Sequence, residues 1–263
     1  MVWQFFQKEN KNLKRIMLFA GTTEGRKLMS FFEEKEVVLS VCVATEYGKE
    51  VIESSRNITI IQGRLSAEQM KSNMEAAAIE IVIDATHPFA KEASKNIKQA
   101  AKEANSEYFR LLRKPELLPE HAVEVENLQE AVLYLQQTMG NIFIATGSKD
   151  LEIYRKIKAW EKRCYVRVIP AQESINKCME LGVKGEHLIA MQGPFSKEMN
   201  TATLKHINAK YFVTKEAGKE GGFLQKAEAA KEAGAVLLVI KRPKETGYLF
   251  EELCQVLQEE IKC

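Results

Sequence analysis

The sequence lacks the cysteine and histidine spacings that hold metals or pair into disulfides. Its five cysteines are odd in number, lie far apart and form no CxxC pair, so we expect reduced thiols. The four histidines show no metal-ligand spacing, and we expect no metal of the protein's own. Motifs of the types GxSxG, HExxH and GxxxxGK[ST] are also missing, which argues against common hydrolases, zinc proteases and P-loop enzymes.

The sequence also lacks an excess of one charge and a long apolar run. Lys and Arg total 38 against 36 for Asp and Glu, a net charge of +2, which argues against a nucleic-acid surface. The uncharged run over residues 131–148 contains Gln, Asn, Thr and Gly, so it does not predict a membrane span. Residues 1–14 lack the pattern of a signal peptide and are expected to form an N-terminal extension. We therefore expect a cytoplasmic protein without nucleic-acid or membrane partners.

A strand that ends in a polar turn and opens a helix occurs twice. Residues 81–92 carry Asp84 at the strand end, then Thr-His-Pro-Phe and a helical pattern, and residues 188–198 repeat this order with Gly-Pro-Phe. Strands alternate with helices throughout, which predicts an α/β fold with parallel sheets. We expect two Rossmann-like parallel-sheet domains, over residues 15–138 and 139–263, with a ligand cleft between them.

Polar turns follow several predicted strands. Gly21-Thr22-Thr23-Glu24-Gly25-Arg26 joins the first strand to a helix, and the residues alone allow either a phosphate site or a tight turn with a threonine cap. Arg64, after the third strand, is either an anion clamp or a solvated arginine. Lys215 precedes a glycine-rich run, which favours phosphate binding over an ordinary strand-end lysine.

Two side chains of the Asp-Ala-Thr-His-Pro-Phe run allow two interpretations each. His87 is either a hydrogen-bond donor or proton relay, or a histidine that caps its turn. Asp84 either binds ligand or accepts backbone N–H bonds within the turn. Phe89 and Phe195 are expected to be core anchors rather than stacking platforms.

Five segments together resemble the precorrin-6A reductase family, which includes cobalt-precorrin-6A reductase. They are residues 21–25, the Asp-Ala-Thr-His-Pro-Phe-Ala run of residues 84–90, Arg110-Leu111-Leu112-Arg113-Lys114-Pro115, Gly193-Pro194-Phe195, and Val213-Thr214-Lys215 with Gly218 and Gly222. The resemblance implies an oxidoreductase that uses NADPH to reduce one double bond of an acidic tetrapyrrole in cobalamin biosynthesis. It also implies that other enzymes of the corrin pathway are candidate partners.

The resemblance implies two sets of site residues. Those expected to contact NADPH are Gly21, Thr22, Thr23, Glu24, Arg26, Arg64, Thr214, Lys215, Gly218 and Gly222. Those expected to contact the tetrapyrrole are Asp84, Thr86, His87, Arg110, Arg113, Gly193, Pro194 and Phe195. His87 is the candidate catalytic residue, with water and the substrate itself as alternative proton sources. Because no arginine directly follows the second strand, the preference for NADPH over NADH comes from the resemblance alone.

Two other functions stay open on the sequence. One is a different NAD(P)-dependent reductase of an acidic metabolite. The other is a non-catalytic protein that senses NADPH without turnover. Substrates with and without cobalt are both compatible with the residues.

Overall fold

A computed structural model describes residues 13–43, 58–120, 122–216, 218 and 221–262. The chain forms two compact units, one of Met1–Lys114 with Pro243–Cys263 and one of Pro115–Arg242. Each unit is built on a parallel sheet, as the alternation of strands and helices predicts. Among the described residues, no helix has the length and apolar character needed to cross a membrane.

The first unit contains a five-stranded parallel sheet with the order β3-β2-β1-β4-β5. Its strands are β1 (Lys14–Phe19), β2 (Val37–Val43), β3 (Ile58–Gln62), β4 (Ile81–Asp84) and β5 (Glu107–Arg110). Its helices are α1 (Thr23–Glu33), α2 (Ala67–Ala76), α3 (Lys91–Glu103) and α9 (Phe250–Lys262). This strand order is that of a dinucleotide-binding sheet.

Strand β1 shows why this sheet needs helices on both faces. Ile16 and Leu18 point into one buried cluster, which includes Leu253 of α9. Met17 and Phe19 point into another on the opposite face. Successive side chains of a strand alternate between faces, so a strand that is apolar at every position must be covered twice. Each such buried side chain stabilises the fold by roughly 1.5–3 kcal/mol.

The second unit contains a six-stranded parallel sheet with the order β6-β11-β10-β7-β8-β9. Its strands are β6 (Ala122–Val125), β7 (Asn141–Ile144), β8 (Cys164–Val168), β9 (Leu188–Ala190), β10 (Ala209–Lys215) and β11 (Val236–Ile240). Its helices are α4 (Leu128–Gln136), α5 (Trp160–Arg163), α6 (Gln172–Glu180), α7 (Lys197–His206) and α8 (Phe223–Ala233), with 3-10 segments at Leu151–Lys156 and Gly185–His187.

The division of the chain differs from the expected boundary at residues 138 and 139. Strand β6 pairs with β11, which places residues before 138 in the second sheet. Helix α9 returns to the first unit, where Leu253 and Leu257 are fully buried in its core. The first unit is therefore discontinuous in sequence. Strand β1 also begins at Lys14, one residue inside the expected extension, and residues 1–12 lie outside the described part of the chain.

Residues 243–249 form the returning segment, which leads back to α9 in the first unit and is hydrogen-bonded at the end of β5. Tyr248 forms a parallel bridge with Leu111, its N–H donates to the Arg110 carbonyl at 2.9 Å, and its own carbonyl accepts from Leu112 N–H at 2.8 Å. At Gly247 a Cβ atom would lie only 2.4 Å from the Arg110 carbonyl oxygen. Glycine is therefore required at this position for the returning segment to approach the end of β5.

Candidate active site

The carboxyl ends of β1 and β4 meet at the point where the strand order of the first sheet reverses. Ligands of open α/β sheets bind at such a point. The turn at Gly21 and Thr22 follows β1, and Ala85 follows β4. The hydroxyl of Thr22 donates to the Ala85 carbonyl at 2.9 Å, which ties the two turns together.

The glycine turn has the geometry that a dinucleotide site needs. Gly21 has φ +145°, and among the described residues no atom other than those of its chain neighbours lies within 4 Å of where its Cβ would be, so no described side chain crowds the backbone there. At Gly25 a Cβ would lie 3.1 Å from the Cβ of Ala20, so glycine allows α1 to pack closely on the end of β1. Thr22 caps α1 by accepting from Gly25 N–H at 3.2 Å. Both interpretations of this turn, phosphate site and threonine cap, are compatible with this geometry.

The first turn of α1 joins two predicted sets of site residues. Nε of Arg113 lies 2.9 Å from Oε2 of Glu24, and both side chains are mostly buried. A residue expected to bind substrate therefore contacts one expected to bind cofactor. Nη2 of Arg26 donates to Oγ1 of Thr23 at 2.9 Å on the exposed side. Arg64 is exposed and follows β3, the edge strand that β2 separates from β1.

Asp84 is fully buried, and its carboxylate is hydrogen-bonded within the unit. Oδ1 accepts from the N–H and the hydroxyl of Thr86, at 3.0 and 2.6 Å, and from Nη1 of Arg110 at 2.9 Å. Oδ2 accepts from the Tyr108 hydroxyl at 3.0 Å. The geometry supports the turn-capping interpretation of Asp84 rather than direct ligand contact. Burial and the Asp84 carboxylate raise the pKa of Tyr108, which therefore stays a donor.

Arg110 is buried and is engaged in the same network. Its Nη1 also donates to the carbonyls of Asp84 and Thr86, at 3.1 and 3.0 Å. Its Nη2 lies 3.1 Å from Oε2 of Glu245, in the returning segment. Arg110 thus orders the turn after β4, and its expected contact with the tetrapyrrole stays a prediction.

His87 caps its turn. Its Nδ1 accepts the N–H of Phe89 at 3.2 Å, and the ring is half-buried. An accepting Nδ1 places the proton of the neutral ring on Nε2. The capping interpretation is thereby observed, and the role of Nε2 as a proton donor stays a prediction.

In the second sheet the strand order reverses at β7 and β10. Lys215 ends β10, and its Nζ lies 3.4 Å from Oδ2 of Asp150, in the turn after β7. Thr214 is fully buried, and its hydroxyl donates to the Lys215 carbonyl at 3.3 Å. This hydroxyl is therefore hydrogen-bonded to the backbone. Lys215 therefore lies where a ligand of this sheet is expected, and Thr214 supports it.

A largely buried ion pair lies beyond the ends of β10 and β11, and sequence reasoning missed it. Glu216 is paired with Arg242, and its Oε1 accepts the N–H of Gly218 at 3.2 Å. Glu216 is the first residue after β10 and Arg242 is the second after β11, and these two strands are neighbours in the sheet. The sequence signal was a charge after each strand, but only the strand order shows that the two meet.

The Gly193-Pro194-Phe195 turn follows β9, which is an edge strand, whereas the similar turn of the first unit follows the internal strand β4. The Phe195 ring lies 3.7 Å from Cζ of Arg167, a buried arginine of β8. The Phe195 carbonyl lies 4.0 Å from the Cβ position of Gly222. The structure thus brings together Phe195 and Gly222, which were expected to bind different ligands.

Comparison with known proteins decides the family. The family model described as precorrin-6x reductase CbiJ/CobK matches residues 15–259. The chain belongs to this family. It is therefore an oxidoreductase of tetrapyrrole metabolism.

Individual members of the family support this assignment. The chain is 34% identical over 234 residues to the cobalt-precorrin-6A reductase of Methanothermobacter thermautotrophicus, covering 87% of this chain and 76% of that protein. It is 33% identical over 255 residues to the enzyme of the same name from Priestia megaterium, covering 94% and 99%. The solved structure of CobK precorrin-6A reductase superposes with a TM-score of 0.72 at 21% identity, covering 94% and 97%, and shows the same fold.

Proposed function

We propose that this chain reduces one carbon–carbon double bond of cobalt-precorrin-6A, with NADPH as the hydride donor, in cobalamin biosynthesis. The family membership carries the reaction class. The two relatives described above are named cobalt-precorrin-6A reductases, which favours the cobalt-containing ring over the metal-free one. The reaction is proposed to take place in the cytoplasm.

The cofactor part of the proposal rests on the open backbone at Gly21. A dinucleotide phosphate needs close backbone approach and unpaired N–H groups at a helix start. Gly21 supplies the first, and the N–H groups of Thr23 and Glu24, which precede the Gly25 N–H capped by Thr22, are proposed to supply the second. NADPH would supply the hydride when bound. Thr22 holds this turn against Ala85, so the chain's own contribution is to fix the position of the phosphates.

The substrate part of the proposal rests on the chemistry of the macrocycle. Precorrins carry several carboxylate side chains, which arginine and lysine bind through charge-assisted hydrogen bonds. Arg113, next to the glycine turn, and Lys215, at the reversal point of the second sheet, are the basic side chains that we assign to ligand binding. Reduction also requires a proton at the neighbouring carbon, and we assign Nε2 of His87 to supply it.

The proposal is tested by anaerobic incubation of the full chain with the tetrapyrrole and a reduced nicotinamide. NADPH absorbance should fall with cobalt-precorrin-6A, and more slowly with precorrin-6A or with NADH. Binding of NADPH without oxidation in the presence of either tetrapyrrole would instead favour a sensing protein. Oxidation with another acidic metabolite alone would favour a different reductase.

A further inference from the structure

Arg167 is a buried arginine near the carboxyl end of β8. Its guanidinium carbon lies near two aromatic rings, 3.7 Å from the centroid of Phe195 and 5.0 Å from that of Phe143. Nη1 donates to Oδ1 of Asn200 at 2.9 Å. Asn200 is itself fully buried and donates to the Ser196 carbonyl at 2.9 Å. The guanidinium is therefore held in one orientation.

The charge of Arg167 has no carboxylate partner among the described residues. Its hydrogen-bond acceptor is a neutral amide, and its other contacts are aromatic faces. A buried cation without a counter-charge is costly to the fold. The same cost lowers the pKa of Arg167 to about 10. A side chain kept in this state, with planar donors fixed in place, is suited to receive an anion from outside the chain.

A second cation faces the same region. Lys226, on α8, donates from Nζ to the Gly221 carbonyl at 3.0 Å. Burial, together with the positive charge of Arg167, lowers the pKa of Lys226 to about 8. Gly221 precedes Gly222, whose Cβ position lies 4.0 Å from the Phe195 carbonyl. Phe195 therefore lies near both Arg167, on which its ring stacks, and the Gly221–Gly222 turn, whose Gly221 carbonyl accepts from Lys226.

The start of α8 adds donors to these cations. Gly222 is the N-cap with φ +67°, it provides no capping side chain, and no acidic residue follows in the first turn. Among the described residues no side chain caps the first N–H groups of this helix, so an anion can accept from them. The side-chain oxygen of Gln225 is buried without a hydrogen-bond partner in the described chain. A half-turn of that amide would present its NH₂ group instead.

We propose that Arg167, Lys226 and the first N–H groups of α8 form a binding site for an oxyanion. The ligand group is either a carboxylate of the tetrapyrrole or a phosphate of the dinucleotide, and this identity rests on the proposed function. Arg167 binds the oxyanion through its planar N–H donors, and Phe195 holds the guanidinium from one face. Lys226 and the helix start provide the remaining positive potential.

Binding measurements on the full chain test this site and identify the ligand. Cobalt-precorrin-6A and NADPH are titrated separately into the wild type, Arg167→Met, Lys226→Met and Lys231→Met, the last removing an exposed lysine of the same helix. Arg167→Met and Lys226→Met should weaken the same ligand at least tenfold and leave the other within twofold, with Lys231→Met unchanged. Weakened tetrapyrrole binding identifies the carboxylate, and weakened NADPH binding identifies the phosphate. Unchanged affinities for both ligands would overturn the proposal.

Simple anions separate this site from the proposed function. Citrate and pyrophosphate are added to the same four proteins, and thermal unfolding is followed without turnover. At least one anion should raise the Tm of the wild type and of Lys231→Met, and this rise should be absent in Lys226→Met and Arg167→Met. If Arg167→Met does not fold, Lys226→Met decides. If the anion raises the Tm of the wild type but the wild type does not oxidise NADPH, the site is supported and the proposed reaction is wrong. If the wild type turns over normally but neither Arg167→Met nor Lys226→Met changes the effect of the anion, the reaction is supported and the proposed site is wrong.

Discussion

Nη1 of Arg110 lies 2.9 Å from Oδ1 of Asp84, and both side chains are buried. The Asp-Ala-Thr-His-Pro-Phe run is thus shaped by an arginine that lies 26 residues after its first residue, Asp84. The same guanidinium reaches Glu245 in the segment that returns from the second unit to the first. The turn that carries His87 therefore depends on the completed fold of the first unit.

Replacing Arg110 should strongly destabilise the first unit. Arg110→Met leaves the Asp84 carboxylate buried without its counter-charge, and the loss of one partner of a buried pair costs about 3–5 kcal/mol. Arg26→Met is the matched control, because Arg26 is exposed and bonds only Thr23 among the hydrogen bonds described. It should cost less than about 1 kcal/mol. Urea denaturation measures both, and equal costs would show that the buried pair is unimportant.

Adding a methyl group at Gly25 should loosen the cofactor turn. In Gly25→Ala the new Cβ lies 3.1 Å from Cβ and 3.2 Å from Cα of Ala20, and the backbone of β1 has little room to yield. We expect a cost of about 1–3 kcal/mol from overpacking, which exceeds the gain of about 1 kcal/mol in helix propensity. Weaker NADPH binding should accompany this cost.

Gly185 provides the control for this change. At Gly185 no atom of the described residues, apart from its chain neighbours, lies within 4 Å of the Cβ position. Gly185→Ala should therefore change stability by less than about 0.5 kcal/mol and leave NADPH affinity unchanged. Unfolding and NADPH titration are measured for both variants. A Gly25→Ala protein that is as stable as Gly185→Ala would contradict the close packing of α1 on β1.

Much of the fold follows from local sequence patterns. The β-branched run Val37–Val43 predicts the strand that is observed as β2, and the helical pattern of residues 223–233, between Gly222 and Gly234, predicts α8. Strand β6 was missed because Ala122–Val125 is short and contains a glutamate. The apolar stripe of α9 predicts a helix that packs on a sheet, but it does not specify which sheet. The domain boundary therefore required the tertiary structure.

The site was predictable at the level of turns but not of contacts. The positions of Gly21 and Lys215 at strand ends follow from the alternation of strands and helices. The alternation does not show which polar side chains are hydrogen-bonded inside the protein rather than available to a ligand. Asp84 and Thr214, for example, are both fully buried. Arg167 is not among the predicted site residues, because the sequence does not show towards which face of the sheet an arginine in a strand points. Its stacking on Phe195 depends on the pairing of β8 with β9.

Lys226 should make stability rise with pH in alkaline solution. Its pKa is lowered to about 8 in the folded chain, against about 10.4 in the unfolded chain. Between these values the unfolded state binds more protons, so this residue's contribution to the free energy of unfolding increases with pH. Buried cysteines and tyrosines oppose this trend, because their pKa values are raised.

The difference between wild type and Lys226→Met isolates the lysine. The Tm of the wild type minus that of the variant should increase from pH 8 to about pH 10.4 and stay constant below pH 8. Lys231→Met, which alters an exposed lysine of the same helix, should give a flat difference. A flat difference for Lys226→Met as well would mean that Lys226 remains fully solvated in the folded chain.

His87 offers a test that separates capping from proton transfer. Nδ1 accepts the Phe89 N–H at 3.2 Å, and the side-chain oxygen of asparagine can occupy a similar position without carrying a titratable proton. His87→Asn should therefore keep the stability of the turn, whereas His87→Ala should lose about 1 kcal/mol. If Nε2 supplies the proton, His87→Asn should lower kcat about 10²- to 10⁴-fold and leave NADPH affinity unchanged.

The pH dependence of kcat provides the decisive readout for His87. A histidine that donates a proton gives a decline in kcat above its pKa in the enzyme–substrate complex, and this decline should be absent from the residual activity of His87→Asn. Substrate binding is measured in parallel, because a general disturbance of the site would raise KM as well. If His87→Asn retains the kcat and the pH profile of the wild type, the histidine acts as a cap, and the proton comes from water or from the substrate.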